Sequence, residues 1–132
     1  MTHEIFCYGT LMFPEVWKAI LGFKRLKTQK AVLKHWSCRK IYGECFPGIV
    51  PESGAYTSGV VMQGVCLNSL KVLDRYEGGL YQRRILTIYV EGQPRLAQVY
   101  VLTNAARRLA STEVWCVEEF SVRELKQFCA TL

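Results

Sequence analysis

The sequence is poor in the side chains that enzymes most often use for metal binding and nucleophilic catalysis. Its 132 residues include only two histidines, His3 and His35. Six cysteines are present, but no two of them have the two-residue spacing of a common zinc site. Cys45 with His35 is a conceivable Cys–His pair, although nothing near Cys45 in the sequence favours a lowered thiol pKa. We therefore expect neither a metal nor a cofactor.

Motifs for nucleotide binding, serine hydrolysis and export are missing as well. The sequence has no glycine-rich dinucleotide fingerprint, no phosphate-binding loop and no nucleophile elbow. Residues 1–25 contain no signal-like segment, and the longest apolar runs are too short to span a bilayer. We therefore expect a cytoplasmic protein without a membrane partner, whose cysteines are free thiols in a reducing compartment.

The length and composition predict one folded domain over residues 1–132. Apolar residues make up 50% of the chain and aromatic residues 12%, which is typical of a packed globule and not of a disordered segment. A chain of this size can bury roughly two thirds of its unfolded surface, so it needs no disulfide or metal to fold.

Acidic residues are absent between Val16 and Gly43, and the basic residues there are Lys18, Lys24, Arg25, Lys27, Lys30, Lys34, Arg39 and Lys40. Such a stretch predicts either a nucleic-acid surface or a solvated basic face that attracts an anionic substrate. Few aromatic residues are interleaved with these charges, and no nucleic-acid-binding signature accompanies them. We therefore favour the solvated face and expect no nucleic-acid partner.

A short apolar segment near the N-terminus is followed by a bend. Ile5–Cys7 predicts a buried strand, and Tyr8–Leu11 predicts a tight bend after it. We expect Gly9 to take a positive φ and to bring backbone N–H groups close to a ligand. Pro14 and Gly22 are typical of the first position of a helix and of the position just past its end.

The middle of the chain predicts two strands, a loop and a helix. Ala31–Trp36 and Ser58–Leu67 favour strands, the second of them central because both of its faces are apolar. Phe46–Pro51 is bracketed by prolines and predicts a rigid extended loop. Residues 52–58 are rich in turn formers and are expected to be exposed. Leu70–Tyr76 predicts a short helix.

Glu77 falls on an unexpected face of this helix. It lies at helical spacing from Leu70 and Leu73, which form the buried side. A carboxylate in that position has two interpretations. It is either a proton-transfer group in a dry pocket or the partner of Arg83 or Arg84 in a structural ion pair.

The C-terminal half predicts a hairpin and a terminal helix. Tyr81–Val90 and Arg95–Leu102 favour two paired strands joined by a turn. Residues 104–113 are polar and ambiguous. Ser121–Glu124 has the pattern of a capping box, which predicts a terminal helix from about Val122.

Three of these segments together resemble one known family. They are Phe6–Leu11, Phe46–Pro51, and Leu73–Gly78 followed by Tyr81 and Arg83. In this order they are similar to the gamma-glutamylcyclotransferase-like family, which includes gamma-glutamylamine cyclotransferase and the plant avirulence-induced proteins. The resemblance runs from about residue 5 to residue 102. It implies an α+β fold, namely a small mixed β-barrel of about six strands with a few short helices packed outside.

The resemblance also implies a reaction and a site. A small anionic gamma-glutamyl compound cyclises to 5-oxoproline and releases its amine, without a cofactor. Glu77 matches the family's catalytic acid/base. The residues expected to bind substrate are Tyr8, Gly9, Thr10, Leu11, Tyr81, Arg83 and Tyr100, of which the last three are assigned only to the pocket wall.

The chemistry of the residues agrees with that expectation. The nucleophile is the substrate's own amino group, so the enzyme needs no nucleophile of its own, and orientation alone can supply ~7–11 kcal/mol. Proton transfer remains, and burial would raise the pKa of Glu77 toward a useful range. The alternative is a small-molecule-binding module on the same fold without turnover.

Overall fold

The computed structural model describes residues 2–22 and 27–132. Its strands are β1 (Thr2–Cys7), β2 (Thr28–Ile41), β3 (Pro47–Cys66), β4 (Tyr81–Val90), β5 (Gln93–Leu102) and β6 (Ala110–Val114). Its α-helices are α1 (Pro14–Leu21), α2 (Leu67–Glu77), α3 (Val117–Arg123) and α4 (Leu125–Ala130), and single 3₁₀ turns lie at Thr10–Met12, Gly78–Leu80 and Arg107–Leu109.

The strands form one mixed sheet that closes on itself. Their order is β3-β1-β5-β4-β2-β6, and β2 pairs with β3 in addition. β1 runs parallel to β5, and the other pairings are antiparallel. The predicted α+β class with about six strands and a few short helices is therefore confirmed. No helix in the described ranges has both the length and the apolar character needed to cross a membrane.

Alternation along the strands divides the core into an inner and an outer layer. In β1, Phe6 points into the closed sheet, where it packs with Val61 and Val99. Its neighbours Ile5 and Cys7 point to the other face and pack under α1 and α2. Burial of the helices' apolar faces against this outer layer fixes both helices beside the end of β1.

The segment predicted as a rigid loop is part of a long strand. Residues 46–51 and 52–58 were expected to form a loop and exposed turns, but β3 runs without a break from Pro47 to Cys66. Pro47 is the first residue of the strand, and Pro51 pairs with Trp36 beside a register shift. Both are places where a strand tolerates a proline. Pairing with β2 overrides the predicted loop at 47–51. Residues 52–55 lie in the register shift, where Gly54 has φ 84° and residues 52–54 are exposed, as expected.

The C-terminal prediction was also wrong in its boundary. α3 begins at Val117, and Ser121 lies inside it without a capping hydrogen bond. Phe120 packs against Trp115 and Phe128, with ring centroids 5.5 and 5.6 Å apart. These aromatic contacts place the helix start earlier than the capping-box pattern indicates.

Some of the other elements are longer than predicted, and one matches the prediction. The strand expected at 31–36 spans Thr28–Ile41, and the ambiguous stretch 104–113 contains most of β6. The predicted helix after Pro14 is confirmed, with Gly22 at its end in the left-handed region. Lys24 and Arg25 of the basic stretch lie outside the described residues.

Candidate active site

The end of β1 and the end of α2 meet at one cavity of about 300 Å³. Glu77, the last residue of α2, lines this cavity, and so do Gly9, Thr10 and Leu11 of the bend that follows β1. The remaining lining residues are Phe6, Cys7, Tyr8, Phe46, Pro47, Tyr76, Leu80, Tyr81, Tyr100, Phe128 and Leu132. The volume is at the lower end of the range for small-molecule sites.

The topology explains why these two distant segments meet. β1 pairs with β3, and α2 follows β3 directly, so α2 folds back over β1. The buried face of α2, with Leu70 and Leu73, packs on Ile5 and Trp17. The Trp17 Nε1–H donates a 2.6 Å hydrogen bond to the carbonyl of Leu11 and ties the bend to α1.

Gly9 is needed for a different reason from the one the sequence predicted. Its φ is −116°, so the expected positive φ is wrong. A Cβ at this position would instead lie 2.8 Å from Cγ of Pro47, which is closer than real side chains approach. The glycine therefore permits the first residue of β3 to lie against the bend.

Glu77 is the one acidic side chain among the described residues that line the cavity. The side chain is half-buried and, within the described part of the chain, makes no hydrogen bond or ion pair. Burial, and secondarily the nearby charge of Asp74, raises the pKa of Glu77 to about 8. Arg83, one of the ion-pair partners considered from the sequence, is engaged elsewhere. The carboxyl is therefore positioned to exchange a proton near neutral pH.

Asp74, one turn earlier on α2, has the opposite environment. Its carboxylate accepts hydrogen bonds from Arg83 Nε at 2.9 Å and from the Tyr100 hydroxyl at 2.7 Å. Burial alone would raise the pKa of Asp74, but these two donors outweigh it and hold the pKa below its usual value. Asp74 is thus a permanent anion that orients Tyr100 in the cavity wall.

The tyrosine hydroxyls of the wall are engaged by the protein itself. Tyr8 donates to the carbonyl of Tyr100 at 2.6 Å, and Tyr81 donates to the carbonyl of Pro47 at 2.5 Å. Burial raises the pKa of all three tyrosines, so they stay neutral. The rings therefore shape the cavity, and their hydroxyls hold the strands together.

The structure brings together most of the residues predicted for the site. Glu77, Tyr8, Gly9, Thr10, Leu11, Tyr81 and Tyr100 all line the one cavity. Arg83 is not among the lining residues, and its guanidinium points to Asp74 and Gln98. What these side chains do for a substrate remains a prediction.

The set of site residues predicted from the sequence left out eight residues of the wall, namely Phe6, Cys7, Phe46, Pro47, Tyr76, Leu80, Phe128 and Leu132. Tyr76 pairs with the Thr10 hydroxyl at 3.0 Å, and Phe46, Leu80 and Phe128 add apolar surface. Tyr76 directly precedes Glu77, so a search around the candidate acid would have found it. Phe128 had no such signal, because it reaches the cavity only through the packing of α4.

The comparison with known families decides the identity of the fold. The family model described as Gamma-glutamyl cyclotransferase, AIG2-like, matches residues 5–117. The chain belongs to this family. The resemblance noted from the three motifs is therefore confirmed.

Relatives of similar sequence agree with this family assignment. AIG2-like protein D of Arabidopsis thaliana is 33% identical over 81 residues, which cover 61% of this chain and 53% of that protein. AIG2-like protein A of Arabidopsis thaliana is 28% identical over 131 residues, covering 98% and 78%. The match thus spans only about half the length of protein D.

A solution structure of an Arabidopsis thaliana protein superposes with a TM-score of 0.74 at 27% identity and covers 98% of this chain and 87% of that one. A structure titled Gamma-glutamyl cyclotransferase superposes with a TM-score of 0.68 at 20% identity, covering 79% and 68%. The second likeness carries the fold alone.

Proposed function

We propose that this protein converts a small gamma-glutamyl amine or peptide into 5-oxoproline and a free amine, with Glu77 as general acid and base and without a cofactor. The proposal depends on the environment of Glu77. Its half-buried carboxyl has no partner within the described residues, its pKa is raised, and the backbone of the Gly9 bend lines the same cavity. Membership of the Gamma-glutamyl cyclotransferase, AIG2-like family supports it.

The reaction balances without water or a second substrate. The substrate's α-amino nitrogen attacks its own δ-carbonyl carbon and forms the bond that closes the five-membered ring. The bond between that carbon and the departing nitrogen then breaks. The attacking ammonium loses two protons on its way to the ring N–H, and the leaving nitrogen gains two to depart as an ammonium. A single carboxyl can pass them one at a time from the first nitrogen to the second.

The raised pKa of Glu77 suits both halves of that exchange. A carboxylate of ordinary pKa, ~4.3, is too weak a base to take a proton from an ammonium group. With a pKa of about 8, Glu77 is close to the value of the group it must deprotonate. The substrate's ammonium, once bound beside it, stabilises the ionised carboxylate, so binding itself prepares the base.

The bend provides the second half of the site. Thr10 and Leu11 open a 3₁₀ turn, and the N–H groups at the start of such a turn have no partner inside it. We assign them to the substrate's α-carboxylate or to the oxyanion that develops on the δ-carbonyl. Tyr8, Tyr81 and Tyr100 complete the wall around the glutamyl group.

The test is 5-oxoproline release from gamma-glutamyl amines, gamma-glutamyl dipeptides and glutathione, measured with purified protein. We expect turnover of at least one compound, and a loss of about 10²–10⁴-fold in Glu77→Gln with the fold retained by circular dichroism. Glu15→Gln is the matched control, because Glu15 is exposed on α1 and lies outside the lining. It should keep full activity.

Two outcomes would overturn the proposal in different ways. Full turnover by Glu77→Gln removes this residue from the mechanism. Thermal stabilisation by a gamma-glutamyl compound without any 5-oxoproline identifies a binding module that keeps the fold and lacks the reaction.

A further inference from the structure

Tyr76 and Glu77 are consecutive residues at the end of α2, and both line the cavity. Glu77 transfers protons in the proposed reaction, whereas Tyr76 has no role in it so far. The Tyr76 side chain is half-buried, and its hydroxyl lies 3.0 Å from the Thr10 hydroxyl in the bend after β1. This hydrogen bond joins two segments that are 66 residues apart in the chain.

The residues that follow α2 give Glu77 little fixed support. The last turn of a helix has carbonyl groups without partners inside the helix, and it is the part that opens most readily. Gly78 follows in the left-handed region, with φ 73°, and Gly79 is exposed. Glycine has more backbone freedom than any other residue, so these two constrain the preceding turn weakly. A side-chain hydrogen bond from the neighbouring Tyr76 supplies a constraint that the backbone lacks.

The bend is held by hydrogen bonds from two different helices. Trp17 of α1 donates to the Leu11 carbonyl at 2.6 Å, and Tyr76 of α2 pairs with the buried Thr10. The first bond fixes the bend relative to α1. The second fixes it relative to the residue next to Glu77. It therefore acts on the separation between the carboxyl and the N–H groups of the bend, which the proposed reaction applies to one substrate.

The hydrogen bond is compatible with both protonation states of the acid. Burial raises the pKa of Tyr76, the hydrogen bond with Thr10 opposes this shift, and the charge of Glu77 adds to it. The phenol thus stays neutral over the pH range in which Glu77 titrates. Its hydroxyl can hold Thr10 before and after Glu77 takes up a proton.

We infer that Tyr76 is a positioning residue, whose hydroxyl holds the Glu77 end of α2 against the Thr10 bend at the separation that proton transfer requires. This inference rests on the proposed function and adds a residue to it. A displacement of about 1 Å at a reacting site can lower the rate by up to about 10²-fold. Because Tyr76 acts through Thr10, the two hydroxyls should be equally necessary.

Removal of either hydroxyl tests the pair. Tyr76→Phe and Thr10→Val nearly keep the side-chain shape, and each should lower kcat about tenfold on the gamma-glutamyl compound that the native protein converts fastest. The double variant should lose no more than either single variant, because one bond is broken in all three. Thr10→Ser keeps a hydroxyl and should recover most of the activity that Thr10→Val loses. Tyr56→Phe is the matched control and should keep full activity, because Tyr56 is exposed on β3 and lies outside the lining.

Three results would overturn the inference and leave the proposed reaction intact. The first is an unchanged kcat in folded Tyr76→Phe. The second is a loss of about 10²-fold in the double variant, since the two hydroxyls would then act independently. The third is a loss in Tyr76→Phe alone, which would assign its hydroxyl to the substrate directly. Circular dichroism melts verify that each variant is folded at the assay temperature, and Thr10→Ala replaces Thr10→Val if the latter is not.

Failure of the proposed function gives a different result. If the native protein releases no 5-oxoproline, that function is wrong, and the same variants are compared by calorimetric binding of glutathione and gamma-glutamyl-ethylamine. Equal losses of affinity of about fivefold or more in the two single variants, with no further loss in the double variant, support the pair as the link between acid and bend. Any other pattern overturns it, including no binding by the native protein.

Discussion

The two sides of the C-terminal turn of α2 carry the same functional group in opposite environments. Asp74 faces the β4–β5 hairpin, where Arg83 and Tyr100 donate to it and its pKa is held low. Glu77 faces the cavity, where it has no such donor among the described residues and burial raises its pKa to about 8. One helical turn therefore separates a fixed anion from a titrating acid. Partners and burial, and not residue type, divide the roles.

The largest effect expected from this comparison is on turnover. Glu77→Gln should reduce kcat by about 10²–10⁴-fold, because it removes the group that carries the proton. Asp74→Asn should cost no more than about tenfold, because it leaves that group in place and only loosens Tyr100. Steady-state kinetics of both variants on the same substrate measure the difference. Equal losses would mean that the two carboxyls act as one unit.

A substitution at Gly9 tests whether the bend after β1 helps to position the substrate. Gly9→Ala brings a methyl group to 2.8 Å from the Pro47 ring, so either the bend or the start of β3 must shift. A displacement of about 1 Å at the site can cost about 10²-fold in kcat/KM. Gly79→Ala is the control, because a Cβ there meets nothing within 4 Å. Wild-type kinetics in Gly9→Ala would show that this bend does not position the substrate.

Local signals in the sequence predicted some elements closely and others poorly. The hairpin strand Tyr81–Val90 was predicted with its observed bounds, because β-branched and aromatic residues dominate it. Of the strand Pro47–Cys66, the sequence predicted only the part from Ser58 onward. The first part was missed because it depends on pairing with β2, which is itself irregular at His35, where φ is 69°. Long-range pairing leaves little trace in a window of a few residues.

The site was predictable where its chemistry was local. Glu77 was conspicuous because a carboxylate on the apolar face of a short helix breaks the expected pattern, but only the family resemblance favoured a proton-transfer role for it over an ion pair. The pairing of Asp74 with Arg83 and Tyr100 was not, since three elements contribute to it. Phe128 was missed for the same reason, because its position depends on how α4 packs.

A smaller effect concerns stability, where the two carboxyls should give opposite signs. Folding raises the pKa of Glu77 from 4.5 to about 8, so this residue lowers the free energy of unfolding increasingly as the pH rises through that range. Glu77→Gln does not titrate, so it should be more stable than wild type by on the order of 2 kcal/mol at pH 9 and nearly equal to it at pH 4.

Asp74 should behave in the opposite way. Its lowered pKa contributes stability above its unfolded value, and this contribution is lost as the pH falls through the folded value. Asp74→Asn should therefore lose about 1 kcal/mol near pH 7, since the carboxylate is partly exposed. Thermal melts of both variants between pH 4 and pH 9 measure the two trends. Parallel trends would contradict the assigned environments.

The smallest predicted effect is a shift in the pH profile. Glu77 must be ionised to act as a base, so kcat/KM of the wild type should rise with pH, and this rising limb should have an apparent pKa near 8. The charge of Asp74 contributes to that value, so Asp74→Asn should move the limb to lower pH and lose less activity at pH 6.5 than at pH 9. Arg83→Gln uncovers the same charge and should move the limb to higher pH. We expect the two variants to shift the pH profile in opposite directions, each changing kcat/KM at pH 7 by less than about tenfold. Because both act on the charge beside Glu77, such shifts would identify Glu77 as the titrating group. A limb that neither variant moves would assign the titration to a group outside α2.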